Sequence, residues 1–267
     1  MLPARSYRER ERAVLGTLGV AAFLIFWEGL SRGWWANLQV RPIFISSPSR
    51  VIEEAWRLAF VTGDLWGDLA ASGVECAIGF ALALAVGIPL GLAAGWYRRF
   101  SYAVEPFLAA FNATPQVAFL PLIIVWFGIG LPSRVIIIFL LTVLPIAINA
   151  GAGVRTTDVR LLRVARGFNA SQLRIFITLI LPSALPFLLA GIRLGIGRAM
   201  IGVVVGEIYG ADAGLGFMIN NAGARFETDA VFVGVLTIAG LGLAGAEIIR
   251  RIERRVEAWR PGIDHAR

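Results

Sequence analysis

Residues 133–153 read SRVIIIFLLTVLPIAINAGAG, and residues 154–174 follow at once as VRTTDVRLLRVARGFNASQLR. The first stretch carries one charge, at its edge, and is long enough to cross a bilayer, which takes about 20 mostly apolar residues. The second holds Arg155, Arg160, Arg163, Arg166 and Arg174 and cannot enter the hydrocarbon. Working outward, further apolar stretches fall near 13–31, 70–96, 103–128, 175–209 and 229–249. About six spans result, so the predicted fold is all-α, a polytopic bundle of transmembrane helices. Composition agrees: 57% of the 267 residues are hydrophobic and 16% charged, where a soluble domain carries roughly 25% charged residues.

The same composition excludes several chemistries. All basic residues are Arg, since the chain contains no Lys. A P-loop needs a lysine on the phosphates and a pyridoxal enzyme needs one for its Schiff base, so neither is expected here. One Cys (Cys76) and one His (His265) are too few for zinc, haem or thiol-nucleophile sites, and a single thiol closes no internal disulfide. No catalytic residue, metal site or chain-bound cofactor is expected. The net charge of +7 marks the membrane's cytoplasmic side rather than a nucleic-acid partner.

Arg placement sets the expected orientation. Residues 98–99, 154–174 and 250–260 are Arg-rich, whereas the connections near 129–134 and 207–229 hold only Arg134 and Arg225 against Glu207, Asp212, Glu227 and Asp229. The Arg-rich loops belong in the cytoplasm, and six spans then place both termini there. The chain reads as one transmembrane domain, 1–267: a cytoplasmic arm 1–12, a bundle 13–249 and a cytoplasmic tail 250–267. Arg5, Arg8, Arg10 and Arg12 before an apolar run imitate a signal peptide. No small-x-small cleavage site follows Phe26, and Trp34 and Trp35 sit where an interfacial anchor belongs, so the first span is expected to stay.

Small residues repeat at helical spacing in the spans: Gly87, Gly91 and Gly95; Gly191 and Gly195; Gly202 and Gly206. Such faces let helices approach closely, within the bundle or between two copies. Pro89, Pro115, Pro121, Pro145, Pro182 and Pro186 read as kinks. After the first span, Ser47 is a plausible cap with Pro48 at the first helical position. Val51, Ile52, Ala55, Trp56, Ala59 and Phe60 share a face of that helix, which lies along the outer interface or packs as an ordinary helix.

Within 154–174 a helical pattern stands out. Asp158 caps it, Leu161, Leu162, Ala165 and Phe168 share a face, and Asn169 stands where a left-handed residue ends a helix. A short amphipathic helix at the end of a bundle lies on lipid or inserts into a partner's groove. Inside the spans, Glu75, Arg193 and Arg198 are functional candidates, with Glu28 and Glu207 nearer an edge. Arg193, Arg198 and Glu207 either border a solute path, with Asn112, Thr114 and Gln116 supplying neutral hydrogen bonds, or serve structure. In the structural reading the arginines bond carbonyls of a Pro-broken neighbour, and Glu75 pairs with one of them.

Val164-Ala165-Arg166-Gly167-Phe168-Asn169-Ala170-Ser171, followed by Leu181-Pro182-Ser183-Ala184-Leu185-Pro186, resembles the EAA-type cytoplasmic signature of bacterial ATP-binding-cassette importer permeases. Thr114-Pro115-Gln116, Leu120-Pro121-Leu122, Trp126-Phe127-Gly128-Ile129-Gly130, the run Gly191–Glu207 and Gly210-Ala211-Asp212-Ala213-Gly214-Leu215-Gly216 are similar to its nitrate/sulfonate/taurine branch. The resemblance spans about residues 42–250.

It implies that 158–171 is a coupling helix, with Asp158, Leu161, Leu162, Ala165, Gly167, Phe168, Asn169, Ala170 and Ser171 docking in a separate ATPase dimer that holds ATP and Mg. It further implies a second copy of this chain, an extracytoplasmic solute-binding protein, a bacterial inner membrane and a small, usually anionic solute such as a sulfonate, nitrate, bicarbonate or aromatic acid. The chain departs from the signature twice, with Arg163 at the usual acid and Asn169 at the usual Gly. The competing class is an ion-gradient-driven transporter or channel, which usually shows inverted halves; none is visible here.

Overall fold

The computed structural model describes residues 4–34 and 42–257. Trp35 and the tail from 258 on, with His265, lie outside the described residues. In chain order the α-helices are α1 (Ala4–Ser31), α2 (Pro42–Ile45), α3 (Pro48–Trp56), α4 (Asp64–Trp96), α5 (Arg98–Ala113), α6 (Leu120–Phe127), α7 (Leu131–Arg155), α8 (Val159–Gly167), α9 (Gln172–Ile175), α10 (Leu181–Ile208), α11 (Leu215–Ala224) and α12 (Thr228–Glu257). Wider π turns run from Arg57 to Val61 after α3 and from Phe176 to Ile180 between α9 and α10. No strand occurs among the described residues.

Among the described residues, five segments are long and apolar enough to cross a membrane: Val14–Ser31, Asp64–Trp96, Leu131–Arg155, Gln172–Ile208 and Thr228–Arg255. The stretch near 103–128, expected as one kinked span, is instead two helical pieces meeting at 91°. The cause is local. A residue before proline is pushed out of the helical region, and Thr114 is extended (φ −90°, ψ 135°) ahead of Pro115. Thr114 Oγ1 donates to the Ala110 carbonyl (2.9 Å) and Gln116 Nε2 to the Phe111 carbonyl (2.9 Å), adding side-chain bonds to the two carbonyls that the Thr114 N–H also reaches (3.1 and 3.3 Å).

The described residues gather into two compact units, 4–34 and 42–66 with Met218–Leu236, and Gly67–Phe217 with 237–257. In the first, Val51, Leu58, Ala222, Ala230 and Val233 form a buried core, and Trp27 packs on Phe232 with ring centroids 4.9 Å apart. Ser47 caps α3 by accepting from the Arg50 N–H. The expected single face of that helix divides: Val51 and Ala55 turn inward with Leu58, while Ile52, Trp56 and Phe60 are exposed. At 100° per residue, Val51, Ala55 and Leu58 lie within about 60° of one another, whereas Ile52, Trp56 and Phe60 run from about 100° to 180° away from Val51.

In the second unit α7 is the axis, and glycines from two helices press onto it. On α4, a Cβ at Gly79 would come 2.6 Å from Ile138, and one at Gly91 would overlap the Ala147 carbonyl. On α10, a Cβ at Gly202 would come 2.8 Å from the Ile138 Cα. The small-residue faces are therefore spent on contacts within the bundle, where close backbone approach replaces the missing hydrophobic drive between helices. Ile137, Ile138 and Ile146 of α7 are fully buried as a result.

Candidate functional site

Two clusters of polar chemistry occupy opposite ends of α7. After its C-terminal end comes α8. The Asp158 side chain accepts from the Arg160 N–H (2.7 Å) and caps the helix. Its end is closed by a Schellman turn: the Asn169 N–H donates to the Arg166 carbonyl (3.0 Å) and the Ala170 N–H to the Ala165 carbonyl (3.1 Å), with Asn169 at φ 54°. Ser171 then caps α9 by accepting from the Arg174 N–H (3.3 Å). The segment expected as a continuous helix over 158–171 is thus a helix of 159–167 between two caps.

The expected common face also divides. Leu162 and Ala165 pack on a core of Val154, Ile175, Ile180 and Ala184, and Ala170 joins them beyond the turn. Leu161 and Val164 are exposed, and Phe168, which follows the last helical residue, is 84% exposed. Gly167 has open space around its Cα. Leu161 lies about 100° from Leu162 on the helix, and Phe168 lies about 120° from it, so neither can share its burial.

At the other end, the Glu207 carboxylate is fully buried. It accepts from Ser72 Oγ (2.6 Å) and from the Gly216 N–H (2.6 Å). Ser72 Oγ in turn accepts from the Leu215 N–H (2.8 Å), and Asp68 accepts from the Gly214 N–H (2.8 Å). The loop 210–216 is tied down at consecutive amides. Gly214 is required there: its φ is 124°, and a Cβ would meet the Glu207 carboxylate at 2.5 Å. Glu207, expected beside a solute path, is sealed within this knot.

Two of the other span charges, Glu75 and Arg193, find specific partners. Glu75 pairs with Arg134 (2.6 Å), not with Arg193 or Arg198, and both side chains are largely buried. Arg193 pairs with Glu253 of α12 (3.0 Å) rather than with carbonyls of a broken neighbour. Arg198 is exposed and makes no ion pair among the described residues. Asn112 is exposed and lines a cavity of about 210 Å³ with Glu105, Ile148 and Arg155, in which Arg155 bonds Glu105 (2.9 Å). Thr114 and Gln116 are used in the bent connection. The Glu207 knot escaped the sequence reading, although Gly214 and Gly216 next to a span charge were its signal.

Residues 87–258 match the family model described as "Binding-protein-dependent transport system inner membrane component". The chain is 34% identical to the taurine transport system permease protein TauC of Escherichia coli, over 85% of each. It is 35% identical to the riboflavin transport system permease protein RibX of Chloroflexus aurantiacus, over 96% of this chain and 94% of that one. Among solved structures it resembles a chain of the MetNI methionine ABC transporter in inward-facing conformations, with a TM-score of 0.53 at 21% identity, covering 73% of this chain and 97% of that chain. This last likeness concerns the fold. From the matched family model and the full-length relatives it follows that the chain belongs to the binding-protein-dependent transport system inner membrane component family, as the non-enzymatic permease subunit of a bacterial ATP-binding-cassette importer.

Proposed function

We propose that this permease carries a small anionic solute of the sulfonate type, and that two copies enclose the path while α8 and its terminal turn dock each copy on a separate ATPase subunit. The observation that carries the reading is Phe168: a large aromatic, 84% exposed, held out from the bundle by a hydrogen-bonded turn that the helix core anchors. An aromatic so presented fits an anchor for a partner's pocket. ATP-driven closure of two ATPase subunits would move two such anchors together and tilt the bundles, giving alternating access by rigid-body motion. The ATPases supply the nucleotide-binding lysine absent from this chain and use ATP and Mg; an extracytoplasmic binding protein delivers the solute.

Arg198 supports the reading of a path enclosed by two copies. Ten residues from the end of α10, it stands about 15 Å along the helix from that end. A guanidinium at such depth, with no ion pair among the described residues, calls for another polar surface or a water-filled path. The Arg198 guanidinium supplies a positive charge suited to an oxyanion. Taurine, the solute named for one relative, is a sulfonate, which favours this class. By the Arg count, both termini and α8 face the cytoplasm.

The test uses proteoliposomes with and without the ATPase subunit and ATP. Phe168→Ala is expected to abolish ATP-driven uptake and weaken ATPase docking while the bundle keeps its unfolding temperature. Uptake by the lone wild-type chain under an ion gradient would overturn the proposal, and so would normal docking in Phe168→Ala.

A further inference from the structure

Around α8 the side chains sort by chemistry. Taking 100° per residue, Leu162 and Ala165 centre on the side that packs against Val154 and Ile175. The opposite side splits lengthwise. Val164, Leu161 and Phe168 fall within about 60° as one exposed apolar strip, and Arg160, Arg163 and Arg166 occupy an exposed sector of about 120° beside it, which also carries the exposed Val159. None of these three arginines makes an ion pair among the described residues. From 159 to 167 there is no carboxylate at all, and the nearest, Asp158, is committed to the cap.

We infer that the ATPase surface gripping α8 is acidic: a cleft with carboxylates placed along Arg160, Arg163 and Arg166 next to an apolar pocket for Phe168, so that charge selects the ATPase and the aromatic anchors it. The inference rests on the docking role proposed above and adds the partner's chemistry. Cytoplasmic loops are enriched in Arg in general, but that tendency alone does not gather Leu161, Val164 and Phe168 onto one strip that no arginine enters. Arg presents a planar fork of donors that matches carboxylates two bonds at a time. Leu162 and Ala165 hold the helix against the bundle, so the apolar strip and the basic sector turn away from the spans. That favours a protein partner over lipid headgroups. An ATPase with a basic cleft is rejected by three like charges, which is specificity by repulsion.

The experiment measures association of the full-length permease, in phosphatidylcholine nanodiscs, with the ATPase subunit that supports its ATP-driven uptake. Wild type is expected to associate more slowly as salt rises, because steering between charges is screened. Replacing Arg160, Arg163 and Arg166 together by Glu is expected to weaken docking at least about tenfold at low salt and to flatten the salt dependence. The triple Gln variant should fall between, with unfolding temperature and gel-filtration profile unchanged in both. Docking that ignores salt, or a triple Glu variant that docks like wild type, overturns the inference. So does a loss confined to nanodiscs containing phosphatidylglycerol, which assigns the basic sector to lipid. Should Phe168→Ala weaken docking at every salt while the Arg variants do nothing, the docking role stands and the acidic cleft falls.

Discussion

The two ends of α7 solve the same problem, a loop between spans, in opposite ways. At the Glu207 end the loop folds back into the bundle: the amides of Gly214, Leu215 and Gly216 are all bound by side chains of α4 and α10. At the α8 end, one side of the helix is anchored and the other exposes Phe168, Leu161 and Val164 beside unpaired arginines. A loop with its polar groups satisfied and its carboxylate buried is complete as it stands. A loop with a capped, rigid backbone and an unspent surface is built to be met by something else. The difference separates architecture from interface within one chain, and it can be attacked from either side.

The largest effect on stability is expected at Glu207. Glu207→Ala orphans the Gly216 N–H and the Ser72 hydroxyl in a dry interior, at about 1–3 kcal/mol for each unsatisfied group. Thermal unfolding in detergent should fall by several degrees, and amide exchange at 214–216 should accelerate. Glu207→Gln keeps one acceptor and should recover part of the loss. If Glu207→Ala unfolds like wild type, the loop is not held by the knot and the contrast with α8 disappears.

Leu162→Ala comes next. Leu162 is only half-buried under α8, so the cost should be about 1–2 kcal/mol, at or below the lower end of the range for deep core truncation. The readout that sharpens the comparison is local: faster exchange across 159–170 with 214–216 unchanged. ATP-driven uptake should drop in parallel, because an anchor that rocks on its base transmits less motion. An equal loss of protection at both ends would mean that the two loops unfold as one unit.

Much of this was legible in the sequence, for identifiable reasons. Hydropathy reports long apolar runs, so the spans other than the bent 103–128 stretch were placed to within a few residues at most ends. Capping is local chemistry, so Ser47, Asp158 and Asn169 were readable as helix ends. The 91° break was not, although Pro115 was in view, because hydropathy measures how apolar a stretch is and says nothing of its direction. Partners distant in sequence were also hidden. Glu75 and Arg134 sit on different helices, and only the register set by Gly79 against Ile138 and Val135 brings them together. Phe168 was read on one face with Leu161, Leu162 and Ala165; the helix instead turns Leu162 and Ala165 onto the bundle core and leaves Leu161 and Phe168 exposed, a division that depends on what packs beneath the helix and not on its own pattern.

The smallest expected effect lies at Asn169, and it isolates what the turn contributes. Its φ of 54° is a conformation that glycine adopts freely and that Asn tolerates better than other L-residues. Asn169→Gly should therefore change unfolding by no more than about 0.5 kcal/mol, since relief of backbone strain opposes the extra freedom of the unfolded chain. Asn169→Val puts a branched Cβ into the left-handed region at about 1–2 kcal/mol. It should break the Ala170-to-Ala165 hydrogen bond locally and swing Phe168 off its present course. Docking should then fall more than stability does, measured as ATPase association against unfolding temperature in the same preparation. If Asn169→Val loses stability but docks normally, the direction of the aromatic ring is not set by this turn, and the α8 end would differ from the Glu207 end in composition alone.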